Sequence, residues 1–203
     1  EGLLKLEPLS LDVGLGLVNL VEQGPQSPLL LRVGAIRRQL ASQLGYLLPA
    51  VKVKDNVALR AREYVIQMRG MEIARFELLQ GYELAISSGT ADAGIAGKPA
   101  RDPAFGLPAL WVRQDQAAMA RSAGYTVVDP VSIIGTHLTE IVRRHAHELF
   151  TRQDAKNYCD RVAQENPKLI EDLVPKLLSL ATIQRVLQNL LLERVPIRDA
   201  VGI

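Results

Sequence analysis

Apolar residues recur at spacings of three and four along residues 129–150, the stretch around which we expect the chain to be organised. Asp129 is a suitable N-cap, and Pro130 fits the first helical position because its missing N–H would be unpaired there anyway. The pattern predicts one helix of about twenty residues, about 30 Å long. Its inward stripe comprises Val131, Ile134, Leu138, Ile141, Val142, His145 and Leu149. Its outward face carries Thr136, Thr139 and Arg143.

Upstream of this helix, the pattern alternates between strand-like and helix-like segments. It predicts a half-buried strand at 9–13 and a helix at 29–44. Strict alternation predicts a strand at 51–55, and Gly70 separates two strand-like runs that we expect to form a hairpin. A short strand at 82–86 completes the order β-α-β-β-β, which is typical of a small mixed sheet with a helix on one face.

The composition changes between residues 87 and 103, where Gly, Ala, Ser, Thr, Pro and Asp dominate without periodicity. This predicts a long surface loop, and loops of this length are often functional. The loop runs into DPAFGLPALW, in which Asp102, Phe105 and the single tryptophan, Trp111, lie close together in the chain. A short strand, a small helix and a further strand follow, so residues 81–129 are interpreted as a second small α/β unit.

Beyond Phe150 every periodic segment is helical. Thr151 with Asp154 predicts a capping box at the start of one helix, and Asn166 with Pro167 predicts the start of another. The expected fold class is therefore an α+β multi-domain protein: a small mixed α/β subdomain with an inserted second α/β subdomain, followed by an all-helical subdomain. Because the last helices are short and would close a bundle poorly, we expect the chain to be a fragment of a longer protein.

The bulk composition excludes few functions but disfavours some partners. Arg and Lys exceed Asp and Glu by two, with no long basic run, so nucleic acid is not expected as a partner. A single cysteine, Cys159, forms no internal disulfide and fits a reducing compartment. No apolar run approaches the length of a membrane span, and no signal peptide is recognisable. The sequence therefore indicates a soluble, cytosolic piece.

Candidate catalytic chemistry is weak. His137, His145 and His147 all fall on the central helix with Glu140 and Glu148, but His145 and His147 are two positions apart and do not face each other. We therefore expect no metal and no cofactor, with His145 in the core and the other two histidines partly exposed. No nucleophile motif is present, since Cys159 lies mid-helix.

A glycine pair near the N-terminus lacks the context of a nucleotide site. Gly14 and Gly16 lack the third glycine and the immediately following helix of a phosphate loop, so a tight turn is the better interpretation. From the residue pattern alone, the expectation is a soluble α and β protein that binds other proteins.

Several motifs in order carry a resemblance to a known family. They are DPAFGLPALW (102–111), AGYTVVDP (123–130), THLTEIVRRHAHEL (136–149) and NPKLIEDLVP (166–175). Together they resemble the C-terminal cytoplasmic region of the flagellar type III export-gate proteins, the FHIPEP family. The resemblance extends from about Leu9 to the end of the chain.

The resemblance implies a domain arrangement. Residues 1–80 with 130–149 would form the first α/β subdomain, 81–129 an inserted second α/β subdomain, and 150–203 an incomplete helical subdomain. In the family, membrane segments precede this region and a further subdomain follows it. The region lies on the cytoplasmic face of the bacterial inner membrane.

The resemblance also implies a function without catalysis: docking of export chaperone–substrate complexes. The matching positions for that chaperone-binding site are Asp102, Phe105 and Thr136, which we expect to form one exposed patch. Further partners implied are components of the export ATPase complex and other gate subunits in a nine-membered ring. Two alternatives stay open: the equivalent gate of a virulence injectisome, and an enzyme with a metal or carboxylate site on the central helix.

Overall fold

The computed structural model describes residues 6–22, 24–87, 89 and 94–203. The chain divides into two units. One, here called the α/β unit, comprises the residues up to Gly34 together with Val51–Ile141; the other, the helical unit, comprises Ala35–Ala50 and Val142–Ile203. The predicted fold class, α+β with mixed and helical parts, is confirmed. The finer division into 1–80 with 130–149, 81–129 and 150–203 stays a prediction.

The first sheet of the α/β unit has four strands in the order β2-β1-β3-β4. They are β1 (Leu9–Val13), β2 (Val51–Asp55), β3 (Glu63–Met68) and β4 (Met71–Glu77). β1 and β2 are parallel, and the other pairs are antiparallel. A parallel pair requires a long crossover, which here contains helix α1 (Pro28–Leu44). The predicted hairpin is present, with its turn at Arg69 and Gly70, whose φ angles are 50° and 79°.

A short 3₁₀ helix, Leu15–Leu20, follows β1 directly. The amide of Gly14 donates to the carbonyl of Glu63 at 2.8 Å, and the amide of Gly16 donates to that of Ala61 at 2.6 Å. A Cβ atom at Gly14 would collide with the carbonyl oxygen of Arg60. These glycines therefore allow close backbone approach within a turn, and their amides are already used by the fold.

The second sheet of the α/β unit is antiparallel throughout, in the order β6-β7-β5-β8. Its strands are β5 (Tyr82–Ile86), β6 (Lys98–Arg101), β7 (Pro108–Arg113) and β8 (Thr126–Val128), with helix α2 (Ala117–Ser122) between the last two. Ala85, Val112 and Ala120 form its small core.

Two strand predictions for this sheet were wrong. β5 belongs here and does not extend the first sheet, and β6 lies inside the segment 87–103 that was predicted to be a loop. β6 is an edge strand, a place where Pro99 is tolerated although it donates no hydrogen bond. The sequence did not predict this strand because the composition of the segment showed no strand-like alternation. The part of the predicted loop at 88 and 90–93 falls outside the described residues.

The predicted central helix is not continuous. Helix α3 runs over Pro130–Arg144, and a separate short helix, α4, covers Ala146–Leu149. His145 separates the two helices, and its backbone has φ −105° and ψ 12°. Its carbonyl accepts hydrogen bonds from the backbone amides of Glu148 and Leu149. The helix therefore has fifteen residues. Apolar spacing continued through the break, so periodicity alone did not locate it.

The histidine assignment was also wrong. His137 is the buried histidine, while His145 and His147 are half-buried. His137 lies three positions after the buried Ile134, on the inward side of α3, and its ring nitrogen pairs with a buried tyrosine. Because histidine is a polar residue type, the apolar pattern did not identify position 137 as part of the core.

The helical unit contains three longer helices after α4: α5 (Arg152–Glu165), α6 (Pro167–Leu173) and α7 (Leu180–Leu192). The predicted capping box is confirmed, because Thr151 and Asp154 each accept the other's backbone amide. Asn166 makes no side-chain cap, so Pro167 alone marks the start of α6. The ring of Tyr46 packs edge-on against Phe150 at 5.0 Å, and its hydroxyl donates to the carbonyl of Ala146. Across the described residues, no helix has the length and apolar character needed to cross a bilayer.

Candidate docking site

A tight turn joins β6 to β7 and carries the motif Asp102–Leu107. The backbone amide of Asp102 donates to the carbonyl of Leu107 at 2.9 Å, and the amide of Gly106 donates to the carbonyl of Asp102 at 2.8 Å. Gly106 has a φ of 70°, which residues with a Cβ rarely adopt. We call the segment 102–107 the Phe105 turn.

The side chain of Asp102 closes the Phe105 turn from inside. Its Oδ2 accepts the backbone amide of Phe105 at 2.7 Å. A carboxylate that accepts a backbone amide in this way mimics a turn of the main chain, so it holds the residues that follow. The neighbouring Ala104 is buried as well. Two inward side chains thus anchor a turn whose tip faces solvent.

Phe105 lies at the tip with 57% of its surface exposed, and Leu107 is 42% exposed. Phe105 does not fold back to anchor the loop beside Trp111. The ring beside Trp111 is Phe76 of β4, stacked at a centroid distance of 6.0 Å and an angle of 29°. Trp111 is therefore already covered, and Phe105 is left as an exposed aromatic side chain on a fixed turn.

Asp102 differs from its expected position. It was expected to be an exposed member of the patch, but it is only 5% exposed. The reason is its hydrogen bond: the carboxylate must point into the turn to reach the amide of Phe105. Asp102 therefore fixes the conformation of the Phe105 turn from within.

Thr136 lies on α3 and is half-buried. Asp102 and Phe105 share one turn, whereas Thr136 comes from a helix far along the chain. Thr136 precedes the buried His137, whose Nδ1 lies 2.8 Å from the hydroxyl of Tyr64 on β3, a contact that the sequence did not predict.

The pKa of the Tyr64 phenol is well above its usual value. Burial is the larger cause, and the negative charge of Asp102 adds to it. Tyr64 is fully buried, so an ionised phenolate would lack solvation there. The hydroxyl therefore stays protonated and serves as a hydrogen-bonding group to His137. Sequence patterning marked Tyr64 only as a strand residue and gave no signal for this pair.

The histidines do not build a metal site in the part of the chain that the structure describes. No group of three His, Cys, Asp or Glu side chains lies close enough together to hold an ion there. Nδ1 of His145 pairs with Glu148 at 2.7 Å, within the turn that separates α3 from α4. His137 faces Tyr64 instead. Nε2 of His147 lies 3.7 Å from the same Glu148 oxygen, so His145 and His147 share one carboxylate while His137 contacts a different residue.

An exposed aromatic residue on an anchored turn has the features of a protein-binding surface. The sequence matches the FHIPEP family over residues 1–203, and the chain belongs to that family. It is 44% identical over 193 residues to the flagellar biosynthesis protein FlhA of Escherichia coli K12, which covers 95% of this chain and 28% of that protein. It is 42% identical over 201 residues to FlhA of Bacillus subtilis 168, covering 99% of this chain and 30% of that protein.

The fold is also that of solved bacterial protein structures. CdsV of Chlamydia pneumoniae matches with a TM-score of 0.83 at 21% identity, covering 97% of this chain and 58% of that one. The nonameric SctV-C of EPEC matches with a TM-score of 0.71 at 20% identity, covering 96% and 56%. The chain thus has the fold of these domains and spans less than a third of the length of the FlhA proteins above.

Proposed function

We propose that the chain is a docking platform of the flagellar type III protein export gate, where it receives export chaperones with bound substrates and helps to order their export. The docking surface consists of the exposed tip of the Phe105 turn and the half-buried Thr136 on α3. Asp102 supports this surface from within. The platform performs no reaction of its own and acts only by binding these complexes.

The observation that carries this proposal is the exposure of Phe105. A large apolar ring with 57% of its surface in water gains little from its own fold. The hydrogen bonds of Asp102 and Gly106 nevertheless hold the ring's backbone in one conformation. A preorganised aromatic residue loses little conformational entropy when a partner covers it, so it is well suited to be a binding hot spot.

The flagellar assignment is favoured over the injectisome alternative by sequence identity. The two FlhA relatives named above are 42–44% identical to this chain, whereas the solved structures of the same fold are about 20% identical. Sequence identity of 42–44% supports a shared role. Identity of about 20% supports a shared fold only. The enzyme alternative has no supporting cluster in the described part of the chain.

The family also suggests further partners for the longer protein that contains this chain. A solved neighbour is a complex of CdsV with CdsO, and another is a nonamer. By analogy, we propose that the longer protein containing this chain assembles as a nine-membered ring of gate subunits. Components of the export ATPase complex would approach this ring at the cytoplasmic face of the inner membrane.

A binding titration tests the docking role. The immobilised 203-residue chain is titrated with a purified complex of a flagellar export chaperone and its substrate, and Phe105→Ala is compared with the unchanged protein. Truncating a hot-spot aromatic side chain costs about 2 kcal/mol or more, so Kd should rise by about thirtyfold. The melting temperature should change little because the ring is exposed.

Met119→Ala is the matched control. Met119 is an exposed apolar side chain of the same unit, on α2 and outside the Phe105 turn. Its truncation should leave Kd within about twofold, as for a residue outside an interface. Equal affinity of Phe105→Ala and the unchanged protein for the chaperone complex would refute the docking role of the turn.

A further inference from the structure

We propose that the outer edge of β2 binds an extended segment of a partner protein in which one apolar residue lies between two acidic residues. The segment adds a further strand to the first sheet, beside Val51–Asp55. Its two acids face Lys52 and Lys54, and its central apolar residue enters a pocket beside Val53. The Phe105 turn belongs to the second sheet, so this inference goes beyond the docking function proposed above.

The first step concerns the backbone of β2. This strand lies at one end of the first sheet, and among the described strands it pairs with β1 alone. A strand in that position directs part of its N–H and C=O groups away from the sheet, where another chain can pair with them. All five residues of β2 pair with β1 in one register without a shift. The outer side of β2 is therefore a regular template for an added strand.

The other three sheet ends carry features that disfavour an added strand. β8 has only three residues, β6 contains Pro99, and the register of β4 with β3 shifts between Ile66 and Gln67. Short length, proline and irregular register each make a sheet edge a poor template. β2 has none of these features, and two lysines are exposed on it instead.

These lysines select the charge of the partner. Side chains alternate along a strand, and Lys52 and Lys54 lie on the face that carries Ser10 and Asp12 of β1. Both lysines are exposed, and neither forms an ion pair with another described residue. Asp12, directly opposite Lys54, accepts a hydrogen bond from Asn56 at 3.1 Å instead. Two lysines repel a second copy of the same edge, whereas acids at alternate positions of an added strand lie beside them favourably.

The residue between the two acids faces the other side of the sheet, the side of Val53. A surface pocket of about 290 Å³ lies there, lined by four half-buried apolar side chains: Val18, Val21, Leu30 and Val53. Glu22, Lys54 and Asp55 complete the lining, and the two acids among them disfavour a third acid in the pocket. An apolar side chain is therefore favoured at the centre of the segment. Lysines that served only to prevent strand pairing would need no such pocket beside them.

Amide NMR of the 203-residue chain tests this inference with a synthetic peptide. The peptide carries the core Thr-Glu-Leu-Glu-Thr between Gly-Ser flanks. Titration should shift the amide resonances of β2 and of the residues that line the pocket, and hydrogen exchange of β2 amides that point away from β1 should slow. A peptide with the core Thr-Glu-Glu-Leu-Thr has the same charge, but only one of its acids can face a lysine while the leucine enters the pocket. It should bind about threefold more weakly or worse.

Charge reversal supplies the second arm. Lys52→Glu combined with Lys54→Glu should weaken binding of the acidic peptide by about tenfold or more, and should create binding of the peptide in which lysine replaces both glutamates. Both side chains are exposed, so this variant should keep its fold. Lys98→Glu is the matched control, because Lys98 is an exposed lysine on the proline-containing edge strand β6. It should bind the acidic peptide like the unchanged protein.

The inference would be overturned by the absence of any shift at β2 with about 1 mM peptide. Equal affinity for the two acidic peptides, or unchanged affinity after charge reversal, would overturn it as well. Loss of β2 signals with rising protein concentration and no peptide would assign this edge to a second copy of the chain, and would also refute an acidic partner. Phe105→Ala should bind the peptide normally, so this test and the chaperone titration can fail independently.

Discussion

The carboxylate of Asp102 lies 2.7 Å from the backbone nitrogen of Phe105, so a buried acid holds an exposed aromatic residue at the tip of its turn. The two residues are neighbours in the motif and opposite in exposure. Asp102 fixes the conformation of the turn, and Phe105 is exposed to solvent at its tip. This division of roles leads to different expectations for substitutions at the two positions.

Asp102→Ala should weaken chaperone binding about as much as Phe105→Ala, but by a different route. It removes the acceptor of the Phe105 amide, and hydrogen bonds to charged groups contribute about 1.5–3 kcal/mol. The melting temperature should therefore fall by several degrees, unlike that of Phe105→Ala. Asp102→Asn keeps an acceptor oxygen and should retain most of the binding. Calorimetry and titration check both, and an unchanged melting temperature for Asp102→Ala would contradict the anchoring role.

Thr136→Asp should weaken chaperone binding by about tenfold, because an unpaired charge at a half-buried position is costly to cover with a partner. Thr136→Ser, which keeps the hydroxyl group, serves as the control and should bind like the unchanged protein. Circular dichroism would verify that α3 persists in both variants. Normal affinity of Thr136→Asp would place this residue outside the interface.

Stability should fall as pH rises above about 10, the ordinary pKa of tyrosine. The pKa values of Tyr46, Tyr64 and Tyr158 are all raised, chiefly by burial. Above pH 10 the unfolded chain has released these protons and the folded protein keeps them, so the free energy of unfolding decreases with pH. The stabilisation is fully present below the ordinary pKa and is lost as pH approaches the raised values.

Denaturant unfolding followed at several pH values between about 9 and 11 checks this slope, with tyrosinate absorbance as a second signal. Tyr64→Phe removes one of the three groups, so its stability should depend less steeply on pH. A slope identical to that of the unchanged protein would show that Tyr64 ionises equally in both states.

Cys159 should react slowly with iodoacetamide in the folded protein. It is buried in α5, and burial raises the pKa of its thiol, so little thiolate is present near pH 7. It lines an apolar cavity of about 90 Å³ with Ile183 and Leu187. The rate of alkylation should rise strongly in urea, which is the internal control. A folded-state rate close to that of free cysteine would contradict this burial.

Much of the local structure followed from sequence because its causes are local. The capping box at Thr151 and Asp154 and the turn at Gly70 depend on residues a few positions apart. Apolar periodicity predicted α1 nearly to its ends. The motif around Phe105 also marked the candidate site before any geometry was known.

Only the tertiary structure decided how those elements present the site. Whether Phe105 is exposed depends on Phe76, which lies on another sheet and takes the place beside Trp111. The burial of His137 depends on Tyr64, 73 positions earlier in the chain. Spacing patterns report which side of an element is apolar, but such long-range pairs arise only when separate elements pack. The sequence by itself therefore determined the elements, the family resemblance and the candidate residues, and packing determined which of those residues are exposed and which hold them in place.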